Sequence, residues 1–150
     1  MTPISLWSGA VGLAMALAAP VTAEADDVWL HHLALQLSDD DEAAMTQVLN
    51  VAANVSRYYS GQGEEVEIRI VVFGRGMDML REDRSPVLER LKGFGQSMPN
   101  VAFVACQNTL DALERAEGRP VPVVSMAERV EAGVVELITL DEAGWTVVRP

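Results

Sequence analysis

The only cysteine of the chain, Cys106, closes the apolar run Val101-Ala102-Phe103-Val104-Ala105 and is followed by Gln107-Asn108-Thr109 and a helically spaced segment. A thiol where a strand hands over to a helix meets unpaired backbone amides and the positive end of the helix macrodipole, and both favour the thiolate. Such a sulfur is a nucleophile toward disulfides, persulfides or electrophiles near neutral pH, where a free cysteine, with a pKa of about 8.5, is mostly protonated. The same position also suits a small apolar residue that fills the last turn of a strand. Asp111 and the net negative charge oppose ionisation, and Arg75 is the cation expected nearest the sulfur. With no second cysteine, neither an internal disulfide nor a resolving thiol is available within the chain.

Other residues capable of chemistry lie at comparable strand ends. Gly74-Arg75-Gly76 follows the run Val66–Phe73 and allows a sharp turn that offers amides to an anion, but Met79 occupies the place of a third dinucleotide-fingerprint glycine. Asp39-Asp40-Asp41 suggests a divalent cation or, more economically, a helix cap. The lysine that a phosphoacceptor site needs is missing, since Lys92, the only lysine, falls within a helix. His31 and His32 are adjacent, so in a strand they point to opposite faces and do not share a metal. No partner for a Cys-His or Ser-His-Asp relay is evident, and no metal site is expected.

These loops need a frame to bring them together. Trp29–Leu37 reads as a strand, and Met45, Val48, Leu49, Ala52 and Tyr59 recur at helical spacing after the Asp cluster. Val66–Phe73 alternates and then turns continuously apolar, as a strand covered on both faces does. Ser85-Pro86 is a helix start with Val87, Leu88, Leu91 and Phe94 on one face, and Gln107-Asn108-Thr109 carries a cap for a helix ended by Gly118. Ser125–Arg129 reads as a short helical patch, Gly133–Leu140 as a strand, and Trp145–Val148 as a last strand. The alternation predicts an α/β fold with a mainly parallel sheet of about five strands and helices on both faces. Such a sheet places the loops Ser38–Asp41, Gly74–Asp78 and Cys106–Thr109 along one edge.

Residues 1–23 carry no charged side chain, hold an apolar run from Leu6 to Ala19 and end in Val21-Thr22-Ala23, the pattern of a secretory signal. The run is short for a membrane span and is interrupted by Gly9 and Gly12, so no stable membrane anchor is expected after processing. The expected mature chain, 24–150, is a single domain in the periplasm or outside the cell. Its 11 basic and 22 acidic side chains give a formal charge of −11, a poor match for nucleic acid or anionic membranes.

Gln36-Leu37-Ser38-Asp39-Asp40-Asp41, Leu49-Asn50 with Asn54, Gly74-Arg75-Gly76-Met77-Asp78, Ala105-Cys106-Gln107-Asn108-Thr109-Leu110, Gly133-Val134 and the closing Gly144-Trp145 with Pro150 together resemble the DsrE family of sulfur-relay-like proteins, in an exported branch. The likeness runs from about Leu30 to Pro150, and Ala-Cys-x-Asn-Thr is its most specific piece. It implies a flavodoxin-like three-layer fold, assembly into homotrimers or hexamers, and a cysteine that carries sulfur as a persulfide, here Cys106. Several members of that family carry histidine where this chain has Gln36 and Phe73. The candidate binding residues are Gln36, Asn50, Asn54, Gly74, Arg75, Gly76, Asn108 and Thr109, with no cofactor. Two functions follow: a sulfur carrier that exchanges with a donor or acceptor protein, or a non-catalytic oligomeric binding module in which Cys106 is packing.

Overall fold

The structure, a computed structural model, describes residues 30–150; the expected signal segment and its processing point lie outside the described residues. Five strands, β1 (Leu30–Leu37), β2 (Glu65–Val72), β3 (Val101–Cys106), β4 (Ala127–Val130) and β5 (Thr146–Val148), form one sheet in the order β4-β3-β2-β1-β5. Every pairing is parallel, with Leu35 opposite Ile70 and Ile70 opposite Phe103. The helices are α1 (Glu42–Gln62), α2 (Leu88–Ser97), α3 (Gln107–Glu117) and α4 (Gly133–Glu142), with a 3-10 segment at Gly74–Leu80. The fold is therefore the α/β architecture that the alternation of elements predicts, and it is three-layer and flavodoxin-like as the resemblance implies.

The connections explain how the layers divide. The chain steps from β1 to β4 in one direction and then returns past β1 to β5. With crossovers of one hand, reversing the direction of travel moves the connecting helix to the other face. Met45, Val48 and Leu49 of α1, Leu91 and Phe94 of α2 and Leu110 of α3 accordingly share a cluster with Leu35, Ile68, Ile70 and Phe103. Leu137 and Leu140 of α4 pack with Ala34, Val71 and Val104 on the opposite face. This placement accounts for the pattern of β2. Glu65 and Glu67 are exposed in alternation with buried Val66 and Ile68, whereas Ile70, Val71 and Val72 are all buried because α4 covers that end of the strand.

Asp41 caps α1 by accepting from the Ala43 amide at 3.1 Å, so one member of the Asp cluster serves the helix. Three local expectations are corrected. α2 begins at Leu88 rather than Ser85, whose hydroxyl accepts from the Val87 amide at 3.4 Å inside the preceding turn. Residues 127–130 form the edge strand β4, not a helical patch; its polar side chains Glu128 and Arg129 leave no apolar alternation to read. Gly133–Leu140 is the body of α4, not a strand. Its buried side holds Leu137 and Leu140 and its exposed side holds Val134, Val135 and Ile138, so the segment, with Glu136 its only charged residue before Asp141, reads as a mostly apolar stretch rich in β-branched types. No helix among the described residues is long and apolar enough to cross a membrane.

Candidate functional site

β3 passes into α3 without a loop, and Cys106 is at once the last residue of the strand and the amino-terminal cap residue of the helix. The cap therefore lies earlier than Asn108-Thr109, and the Thr109 hydroxyl is free for another partner. It accepts from the Gly74 amide at 3.0 Å, which joins the end of β2 to α3 and leaves its own hydrogen for the Cys106 sulfur. Gly74 takes the left-handed conformation, φ +57°, that this turn requires. Gly76, two residues on, is a contact residue: a Cβ there would stand 2.8 Å from the Leu37 carbonyl oxygen.

The sulfur is 5% exposed and forms part of the large core cluster. Burial pushes the thiol up, but the Thr109 hydroxyl and the backbone amides of Gly133, Thr109 and Asn108 outweigh it, and the pKa is lowered from its ordinary value. Two helix amino termini contribute, because Gly133 is the first residue of α4 and Asn108 and Thr109 belong to the first turn of α3. The Asn108 amide also donates to the Glu131 carbonyl at 3.1 Å, and the same carbonyl lies 3.9 Å from Sγ, where it receives the proton of the neutral thiol. The sulfur thus has an acceptor for its protonated form, while the nearby hydroxyl and amide dipoles favour its ionised form.

The charged groups expected near the sulfur are engaged elsewhere. Arg75 is exposed, with its guanidinium 3.8 Å from both Asp39 and Asp40, and Asp39 also receives Arg149 at 2.7 Å. The groups that lower the thiol are hydroxyl and amide donors, so the expectation that Arg75 assists ionisation is replaced by neutral hydrogen bonding. Asp111 accepts from the Gln107 amide nitrogen at 2.7 Å, and Gln107 in turn accepts from Arg129 at 3.3 Å.

Gly74, Arg75, Asn108 and Thr109 line one cleft of about 430 Å³ with Ala112 and Leu113, so four candidate binding residues from two distant loops meet there. Cys106 is not among the lining residues. A larger cleft, about 740 Å³, runs past Glu64, Pro99 and Asn100 toward the start of β2 and holds no thiol.

The remaining candidates do not join this cleft. Gln36 pairs with Val71 in the sheet and, by alternation, shares the face of Ala34 that α4 covers. Asn50 accepts from Arg90 at 2.6 Å and so ties α1 to α2, while Asn54 accepts from Arg57 within α1 at 3.0 Å. Phe73 packs where α4 begins, its ring carbon 3.0 Å from where a Gly133 Cβ would be. His31 stacks on Tyr59 at 3.8 Å between centroids and bonds Glu64 at 2.7 Å; His32 lies 3.5 Å from Glu67 and 4.8 Å from the Trp145 ring. Among the described residues, no group of three or more His, Cys, Asp or Glu side chains is placed to hold a metal ion.

Sequence reasoning missed two contributors. The Gly133 amide was hidden by the reading of that segment as a strand. Glu131, an exposed residue, acts on the sulfur only through its main chain, which side-chain chemistry does not signal.

No protein-family model matches the chain, and no curated protein matches it. Among solved structures it is similar to MTH1491 from Methanobacterium thermoautotrophicum, a protein of unknown function, at 26% identity and a TM-score of 0.65, over 80% of this chain and 99% of that one. The likeness is one of overall fold, a three-layer α/β architecture shared with a second protein.

Proposed function

We propose that the protein is an exported sulfur carrier of the DsrE type in which Cys106 holds a sulfane sulfur as a persulfide. The observation that carries this reading is the position of Cys106, at once the end of β3 and the amino-terminal cap of α3, where the nearby Thr109 hydroxyl and the amides of Gly133, Thr109 and Asn108 lower the thiol in spite of its burial. In loading, the Cys106 thiolate attacks the outer sulfur of a donor persulfide. The donor's S–S bond breaks as the new bond to Cys106 forms, and the donor leaves as a thiolate that takes up a proton from solvent. In unloading, an acceptor thiolate attacks the outer sulfur and restores the Cys106 thiolate, so neither step needs an oxidant or a reductant.

Intact mass after exposure to glutathione persulfide tests this. A one-sulfur increment is expected on the wild-type chain and none on Cys106→Ser. A wild-type chain that gains no sulfur sinks the reading.

The 5% exposure of Cys106 and its place in the core favour a second reading, an oligomeric binding module in which the thiol is packing. In that case Cys106→Ala leaves a homotrimer or hexamer intact by analytical ultracentrifugation, and a monomer counts against it.

A further inference from the structure

α4 buries Leu137 and Leu140 and turns its other side to solvent. At 3.6 residues per turn, Val134, Val135, Ile138 and Thr139 fall within about 140° of one another on that side. Val134, Val135 and Ile138 are 51%, 58% and 52% exposed, a contiguous aliphatic strip on an otherwise strongly acidic chain. Its ends are acidic: Glu131 is exposed just before the helix, Asp141 and Glu142 at its last turn, and α4 contains no basic residue. The cation closest in sequence, Arg129, is hydrogen-bonded to Gln107. The strip also begins one residue after Gly133, whose amide serves the Cys106 sulfur.

These charges choose among the occupants that an apolar strip can take. A second copy packing α4 against α4 sets acid against acid whichever way the two helices run. An anionic lipid surface meets the same repulsion. A protein with an apolar centre flanked by lysine or arginine covers the three aliphatic side chains and answers both acidic ends.

We propose that the outer face of α4 is the docking surface for such a basic-flanked protein and that this protein is the one that exchanges sulfur with Cys106. The second half of the statement rests on the sulfur-carrier reading. Docking there brings the partner to the amino end of α4, beside the thiol, which is where a protein thiol or persulfide has to arrive.

The test uses the full chain with a photo-crosslinking phenylalanine analogue at position 138, irradiated in the cell that makes it. The captured protein is identified by mass spectrometry, purified, and titrated against the unmodified chain. A separate protein is expected, with affinity that falls with added salt and falls about tenfold or more in Ile138→Asp and in the double variant Asp141→Lys with Glu142→Lys. Both variants are expected to unfold at the wild-type temperature and to take sulfur from glutathione persulfide as the wild type does. Cross-links confined to a second copy, to residues 1–29 of the same chain or to lipid, an absence of cross-links, or affinity unchanged in both variants overturns the docking surface. If the partner binds through Ile138 while Cys106 takes no sulfur from the small persulfide, the sulfur-carrier reading fails and the docking surface stands.

Discussion

Arg81 and Cys106 are both nearly excluded from solvent, at 1% and 5% exposure, yet the fold surrounds them in opposite ways. Arg81 meets formal charge. Its Nε and Nη2 donate to the two oxygens of Asp83 at 2.9 and 3.0 Å, its Nη1 and Nη2 donate to Glu117, and Arg119 bridges the same two carboxylates at 2.7 and 2.9 Å. The guanidinium is raised above its ordinary value, chiefly by Asp83 and then Glu117, and both carboxyls are held below theirs, chiefly by Arg81. Cys106 meets hydroxyl and amide dipoles instead, arranged so that the thiol and the thiolate each find partners. A charge answered by charges is fixed in one state, whereas a sulfur between dipoles can change state without an unpaired ion being left behind.

The largest effect should come from breaking the charged member of the pair. Arg81→Ala is expected to cost about 3 kcal/mol in denaturant unfolding, the lower part of the range for removing one partner of a buried ion pair, because Asp83 and Glu117 can turn toward water. The acid limb should change with it. Asp83 and Glu117 have folded values below their unfolded ones, so the unfolded chain binds more protons as pH falls through the carboxylate range. Their contribution is present above the unfolded values and is lost as pH drops toward the folded ones. Arg81→Ala should flatten this acid dependence, and an unchanged acid limb would show that the network does not stabilise the fold.

The uncharged member should respond in reactivity more than in stability. Thr109→Val removes the hydroxyl that donates to the sulfur and leaves the Gly74 amide without its acceptor. A hydrogen bond to an ionised group is worth roughly 1.5 kcal/mol or more, so alkylation of Cys106 at pH 7 is expected to slow about tenfold and its pH midpoint to rise. Thr109→Ser keeps the hydroxyl and should retain the wild-type profile. The folded thiol lies below its ordinary value, so ionisation at this site favours folding as pH rises toward the free-thiol range, and Thr109→Val should weaken that rise.

The two regions differ in how much of them the sequence reveals. Cys106 is legible because an apolar run with a thiol at its end, followed at once by a polar helical pattern, has few ways to fold, and Gly74, Arg75, Asn108 and Thr109 follow from the edge rule for parallel sheets. Arg81 is not legible, since it stands in Arg81-Glu82-Asp83-Arg84, where four charged residues in a row read as a solvated loop. Its burial comes from the pairing of this segment with residues 122–124, through the Glu82 amide to the Pro122 carbonyl and the Val124 amide to the Leu80 carbonyl, each at 3.0 Å. Nothing local announces that contact. Asn50 and Asn54 share a helix face as their spacing requires, but the face looks toward Arg90 and Arg57 rather than the thiol. α4 reads as a strand for a physical reason: a helix that carries aliphatic residues on its exposed side as well as its buried side, here with only Glu136 and Thr139 among them, loses the periodicity that marks an amphipathic helix.

The smallest effect separates the α4 contribution to the sulfur from that of α3. A Cβ on Gly133 would lie 3.0 Å from Cδ1, 3.2 Å from Cβ and 3.3 Å from Cγ of Phe73, so Gly133→Ala obliges the ring or the first turn of α4 to give way by a few tenths of an ångström. The expected cost is about 1 kcal/mol of stability, typical of modest overpacking. If the turn moves, the Gly133 amide draws back from the sulfur and alkylation of Cys106 slows a few-fold, less than in Thr109→Val because one amide is lost rather than a hydroxyl that also anchors Gly74. Trimming the ring with Phe73→Leu in the same chain should relieve the contact and recover the alkylation rate. Recovery of that rate by the second substitution marks α4 as part of the sulfur's environment, while a loss of stability with no change in alkylation at either step would leave the thiol to α3 alone.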